Sequence, residues 1–331
     1  MALDKNYLLS VCAKLLAGVV FVSLGLAGPA TAQTYPSKSI RVVNPWPPGG
    51  PGDTLIRPIM TKLSERLGQP VIIDNRPGAS GTMGTVAVAR AAPDGYTLLT
   101  GNLGPNVLIH AQDATVPYDS VKDFEPITQL VSSPLILLIR PGLPVENLQD
   151  LVTYAKARPG KLTYGNLGPF SSPHLAGEML LTRAGINLLA VPYKGAAEVV
   201  TALISGTIDV AFINIGGAMP FVESGKLRAM AVTTSKRSTV LPNLPTVAEF
   251  YPGYEVNSWY GILAPARTPK DIIERLHREF VAVLQLPDIQ QLLKTNGLDA
   301  EGTTPEQFGT KIKEDLPRWA AIVKTVMPAT K

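Results

Sequence analysis

The 331-residue sequence predicts an α/β fold of two lobes, each a mainly parallel sheet flanked by helices. Three observations carry this. Short β-branched runs alternate with helical stretches along nearly the whole chain, the pattern of βα units. These strands are too numerous for one small sheet, and the length fits two domains of ordinary size. Hydrophobic residues make up 45% and charged ones only 17%, enough apolar surface for large cores.

Composition also excludes functions. A net charge of +4 is too slight for a nucleic-acid binder. One cysteine and three histidines leave no disulfide framework and no Cys/His zinc site, so neither a metal nor a cofactor is expected.

The amino terminus reads as a signal peptide over residues 1–32. Lys5 and Lys14 bracket a basic region, residues 15–27 form an uncharged apolar run, and Ala30-Thr31-Ala32 offers small residues for cleavage. The run is shorter than a membrane span needs, and Gly28-Pro29 closes it. The remainder reads as a secreted, periplasmic protein.

Ile40-Arg41-Val42-Val43 is the first strand, and Leu55, Ile59, Leu63 and Leu67 then recur at helical spacing until Gly68. Val71-Ile72-Ile73 is the second strand, followed by an alanine- and valine-rich helix to about residue 92. Strands are expected at 96–100, 135–139, 162–164, 188–191, 208–212, 227–233 and 258–264. Helices are expected at 148–157, 173–184, 195–205, 216–224, 269–284, 287–295 and 305–326.

Glycine, proline and small hydroxyl residues are concentrated where helices begin after strands. In open α/β sheets ligands bind at that end, and free helix-start N–H groups favour anions. The first such loop holds Pro48, Gly49, Gly50, Pro51, Gly52, Asp53 and Thr54; a second holds Gly168, Phe170, Ser171 and Ser172 and opens the helix of His174. Loops at Gly195 and Asn214 repeat the arrangement. Gly101-Asn102-Leu103-Gly104-Pro105 and Gly165-Asn166-Leu167-Gly168-Pro169 are identical strings, so Asn102 is expected in an equivalent loop facing the second across a cleft. Tyr260 follows Trp259 where a strand should return to that cleft.

Enzyme motifs are thin. There is no G-x-S-x-G elbow, no P-loop and no dinucleotide fingerprint. Ser171 or Ser172 with His174 leaves open a Ser–His hydrolase, but no third member is evident, and the serines equally read as helix caps.

Pro47-Pro48-Gly49-Gly50-Pro51-Gly52-Asp53, Asn75-Arg76-Pro77-Gly78-Ala79, Ala92-Pro93-Asp94-Gly95-Tyr96, Val191-Pro192-Tyr193-Lys194-Gly195 and Ser258-Trp259-Tyr260-Gly261 together resemble the Bug/TctC family in order along the chain. The family comprises extracytoplasmic solute receptors of tripartite tricarboxylate transporters. The resemblance implies a two-lobed, type II-like periplasmic binding fold that closes on a small carboxylate and hands it to membrane transporter subunits; a periplasmic sensor is the alternative partner. It implies no enzymatic activity, and a monomer is expected. It also implies that backbone amides of the 49–54 and 168–172 loops grip a ligand carboxylate. The chain is expected to cross between lobes near Ser132-Ser133 and Val256, with lobe 1 at 33–133 plus 256–331 and lobe 2 at 134–255. Ile213 stands where the family often has aspartate, Gly216-Gly217 where bulkier residues are frequent, and Phe170 where a small residue is common. These departures predict a less acidic, more aromatic pocket, suited to aromatic or aliphatic acids rather than amino acids.

Overall fold

The computed structural model describes residues 35–111, 115–169, 171–238 and 241–326. The proposed signal peptide and Phe170 lie outside the described residues. The fold is that of the unit beginning at Lys38.

Strand β1 (Ile40–Asn44) lies between β2 (Val71–Asn75) and β3 (Thr97–Asn102), all parallel. Helix α1 (Pro51–Leu67) makes the crossover, with Leu55, Ile59 and Leu63 buried as their spacing requires. The shorter α2 (Thr82–Ala89) leads into β3, and a single-turn α3 (Leu103–Asn106) follows it. Next comes β4 (Phe124–Ile139), a 16-residue strand of which the sequence pattern revealed only the last five residues. Pro126 and Pro134 are unusual inside a central strand, since proline cannot donate to the ladder. In the structure the pairing register shifts between Pro126 and Thr128 and again between Gln129 and Val131, and the strand passes through these irregularities without ending.

Beyond β4 the order is α4 (Leu148–Lys156), β5 (Thr163–Asn166), α5 (Ser172–Ala184), β6 (Leu189–Pro192), α6 (Ala196–Ile204), β7 (Val210–Asn214), α7 (Ile215–Glu223) and β8 (Arg228–Val232). The chain closes with β9 (Asn257–Pro265), α8 (Lys270–Leu284), α9 (Pro287–Thr295), the two-residue β10 (Asp299–Ala300) and α10 (Pro305–Val326).

One sheet holds all ten strands, with the main path β2-β1-β3-β9-β4-β7-β5-β6. Its flanks are parallel, and β9 and β4 run antiparallel to their neighbours along its middle. The first part of β4 pairs with β9 and β10; the last part pairs with β7 and β8. This strand therefore joins two α/β halves. Side chains alternate across it and across β7: Leu137 and Phe212 enter one core, Leu138 and Ile213 another. In β9 the same alternation sends Trp259 inward against Phe308 of α10, edge-on at 5.2 Å, while Tyr260 faces the opposite way.

Candidate functional site

A cavity of about 350 Å³ lies where the starts of α1, α5 and α6 approach the first residues of β9. Trp46, Pro47, Pro48, Leu167, Pro173 and Tyr260 give it a largely apolar lining. Its polar wall includes Asn102, Ser172, Asn214 and Ser258, with Ser171, Lys194 and Glu198 also on the lining; hydrogen bonds join Asn102 and Ser172 to Ser258, and Asn214 to Ser133. Asn102 Nδ2 donates to Ser258 Oγ at 3.4 Å, Ser172 Oγ donates to the same oxygen at 3.2 Å, and Asn214 Nδ2 donates to Ser133 Oγ at 2.8 Å. A roomier groove of about 490 Å³ beside α10 is bordered by Lys122, Glu125, Lys270, Glu274 and Lys313, charges of both signs with no helix start among them apart from those of α8 and α10.

The chemistry of the cavity follows from which backbone donors remain free. In α1, proline occupies the first position, Gly50 caps without a side-chain bond, and Thr54 N–H is the first to reach back, to Gly50 O at 3.0 Å. The N–H groups of Gly52 and Asp53 consequently have no acceptor within the helix. In α5 most donors are consumed internally: Gly168 N–H goes to Asn166 Oδ1 at 2.8 Å, Ser171 N–H to Gly168 O at 3.3 Å, and His174 N–H to Ser171 Oγ at 3.3 Å. Pro173 has no N–H, so Ser172 is left to offer its amide. In α6 Gly195 caps without a side-chain bond, leaving the amides of Ala197 and Glu198 unpaired in the helix. Partial positive charge thus meets the cavity from three directions.

Asp53 does not line the cavity. It is 2% exposed, and its carboxylate accepts from Gly49 N–H at 3.0 Å, Asn75 Nδ2 at 2.9 Å, and Arg57 Nε and Nη2 at 2.7 and 3.0 Å. Asn75 Nδ2 also donates to Trp46 O at 2.9 Å, so both ends of the glycine loop are fastened to β2 and α1. Burial alone would raise the Asp53 pKa; hydrogen bonds from Arg57, Gly49 and Asn75 outweigh it and hold the carboxyl below its ordinary value. Gly49 N–H is therefore already taken, which narrows the expected grip of the 49–54 loop to the amides further along.

Of the residues singled out from the sequence, Pro48, Gly49, Gly50, Gly52, Asn102, Ser171, Ser172, Gly195, Asn214 and Tyr260 line the cavity. Thr54 lies on a neighbouring chamber, and Gly168 acts through its turn, at φ +85°. Pro51 is the first residue of α1. His174 is also outside it: its ring stacks on Tyr164, 6.4 Å between centroids, with Nε2 3.7 Å from Glu178 on its own helix. Burial pushes the imidazole pKa down, with Glu178 pulling the other way. Ser171 Oγ donates to Gly168 O at 2.7 Å and accepts from the His174 backbone, so this pair has the geometry of a helix cap rather than of nucleophile and base.

Two expectations about the lining need correction. Ile213 packs into the core with Ile136 and Leu138, because strand alternation turns it away, and so its missing carboxylate does not shape the cavity. A carboxylate is nonetheless present at the rim, Glu198, whose Oε2 accepts from Lys194 N–H at 3.2 Å. The repeated string performs one local task twice: Asn102 Oδ1 accepts from Gly104 N–H at 3.0 Å, as Asn166 does from Gly168. Each copy contributes one lining residue, Asn102 and Leu167. Among the described residues no group of acidic, cysteine or histidine side chains could hold a metal ion, and no helix is long and apolar enough to cross a membrane.

The tripartite tricarboxylate transporter family receptor model, TctC, matches residues 55–327. The chain belongs to this family. BugT of Bordetella pertussis is 34% identical over 309 residues, 93% of this chain and 95% of that protein. Among solved structures, the R. palustris protein Rpa4515 with adipate is 35% identical, with a TM-score of 0.85 over 88% of this chain and 98% of its own. MatC from Rhodopseudomonas palustris, with bound malate, is 31% identical, with a TM-score of 0.83 over 87% of this chain and 100% of its own. This TctC-family chain accordingly has the two-lobed α/β fold of periplasmic binding proteins.

Proposed function

We propose that this protein is an extracytoplasmic receptor that captures a small carboxylate in the 350 Å³ cavity and delivers it to the membrane subunits of a tripartite tricarboxylate transporter. The observation that carries the reading is the set of unpaired helix-start amides around an apolar cavity. Gly52 on one side, and Ser172, Ala197 and Glu198 on the other, can each donate to a carboxylate oxygen, while the apolar walls suit the ligand's hydrocarbon body. Adipate and malate in the two related structures are carboxylates of this size class. Lobe 1 then comprises 33–133 and 256–331, lobe 2 comprises 134–255, and β4 and β9 flex between them as ligand is enclosed. The 1–32 segment is a signal peptide removed on export to the periplasm.

A thermal-shift screen over mono-, di- and aromatic carboxylates tests the binding step. A ligand held by the native state at one hundred times its Kd adds about 2.7 kcal/mol to stability and raises the melting temperature. A screen in which no carboxylate raises it refutes the reading. Uptake by vesicles carrying the membrane subunits, dependent on added receptor, tests delivery.

A further inference from the structure

Behind Tyr260 lies a second, more enclosed chamber of about 130 Å³. Leu55, Leu292 and Leu298 form its apolar side, and Ser133 and Asn296 its polar side. It shares Asn214 and Tyr260 with the main cavity. The ring of Tyr260 is seated on the first turn of α1, where a Cβ added to Gly52 would come within 2.8 Å of Cε1 and 3.2 Å of the hydroxyl oxygen. Only glycine permits that approach. The ring is therefore held as a partition between two spaces that its removal would join. Tyr260 is 6% exposed, and burial pushes its hydroxyl pKa up.

We propose that Tyr260 sets the length of ligand this receptor accepts, its ring closing the rear chamber and its hydroxyl donating to the ligand. The inference rests on the carboxylate-binding reading above. An acid that fits in front of the ring is bound; one whose tail must enter the chamber meets the ring instead. The chamber has room for about four atoms the size of a water molecule. Removing the ring thus lengthens the longest tolerated acid by a few carbons.

The test is calorimetric titration of the mature protein with straight-chain mono- and dicarboxylic acids of increasing length. In the wild type, affinity is expected to fall at least tenfold beyond a definite length. Tyr260→Phe keeps the partition and loses the donor, so every acid weakens and the length limit stays. Tyr260→Ala moves the limit to longer acids, and Tyr260→Leu, which keeps apolar bulk on the strand, moves it part of the way. Adding Leu292→Trp to the alanine variant refills the chamber and restores the original limit. A limit unmoved in both the alanine and leucine variants overturns the role of Tyr260 while leaving carboxylate binding intact. A wild type that binds no acid of any length overturns the binding reading as well.

Discussion

Replacing Asp53 is expected to weaken both stability and ligand binding, although its carboxylate never touches the cavity. Asp53→Ala removes the acceptor for Gly49 N–H, for Asn75 Nδ2 and for both donors of Arg57. The Arg57 side chain is 51% exposed and can turn to water, so its lost pairing counts for little. Gly49 N–H and Asn75 Nδ2 are the expensive losses, because hydrogen bonds to a charged acceptor contribute about 1.5–3 kcal/mol each. Taking the lower value for both gives about 3 kcal/mol, or a fall in melting temperature of about 6–12 °C at the 2–4 °C per kcal/mol usual for large domains. Asp53→Asn keeps one acceptor oxygen and should lose about half as much. Binding suffers separately. A glycine loop no longer fastened at Trp46 and Gly49 must be reordered by ligand, at about 1–2 kcal/mol per residue, which weakens affinity by about tenfold. Differential scanning calorimetry and titration calorimetry on the same samples measure the two effects. An alanine variant that melts within 2 °C of wild type, by about the precision of such scans, and binds with unchanged affinity would refute the fastening role.

Further outcomes are expected. Gly168→Val forces a β-branched residue to φ +85°, a strain of about 1–3 kcal/mol, and displaces the turn that presents Ser172; affinity should drop at least tenfold by titration, and an unchanged Kd would remove this loop from the site. The hydrogen bond and charge of Arg237 and the Thr246 N–H draw Glu249 down to about 2, and Asp53 is likewise depressed. Both groups lend stability that is fully present above their unfolded values near pH 4 and is lost as pH falls through their folded ones; melting temperature should therefore fall from about pH 4.5 to 2, and Arg237→Ala should flatten part of that slope. Carboxylates without an ammonium group should bind at least tenfold more tightly than aspartate or glutamate, a gap of about 1.4 kcal/mol, because unpaired amides outnumber the single rim carboxylate of Glu198. Tighter binding of either amino acid would overturn this.

Most elements were legible because their signals are local. Leu55, Ile59 and Leu63 mark the buried face of α1, and Gly68 marks its end, whereas its start at Pro51 lies inside a stretch that reads as turn. The first half of β4 was not legible, since Pro126 and Pro134 contradict a central strand unless register shifts accommodate them, and those depend on β9, more than a hundred residues away. At the site, clustered glycine and proline located the loops well. Side-chain direction was the harder part. Asp53 and Gly52 are adjacent, yet one faces inward to Arg57 and the other borders the cavity, and His174 leaves the lining because α5 turns its third position toward Tyr164. Glu198 escaped notice because a charged residue in the first turn of a helix is ordinarily a solvated one.

The pairing of Pro134 in β4 with Asn257 in β9 has a consequence for how such receptors diversify. Every strand of the second half of the sheet lies between those two positions in the chain, so that half is an insertion whose two ends sit side by side as hydrogen-bonded neighbours. A cut at one junction alone would split a shared strand and leave a bare sheet edge, an invitation to aggregate. A transplant made at both junctions keeps the spacing of the ends, which is the condition under which inserted domains are tolerated. Chimeras spliced there should exchange the α5 and α6 arms of the grip between relatives while keeping the α1 arm and Tyr260 of the host.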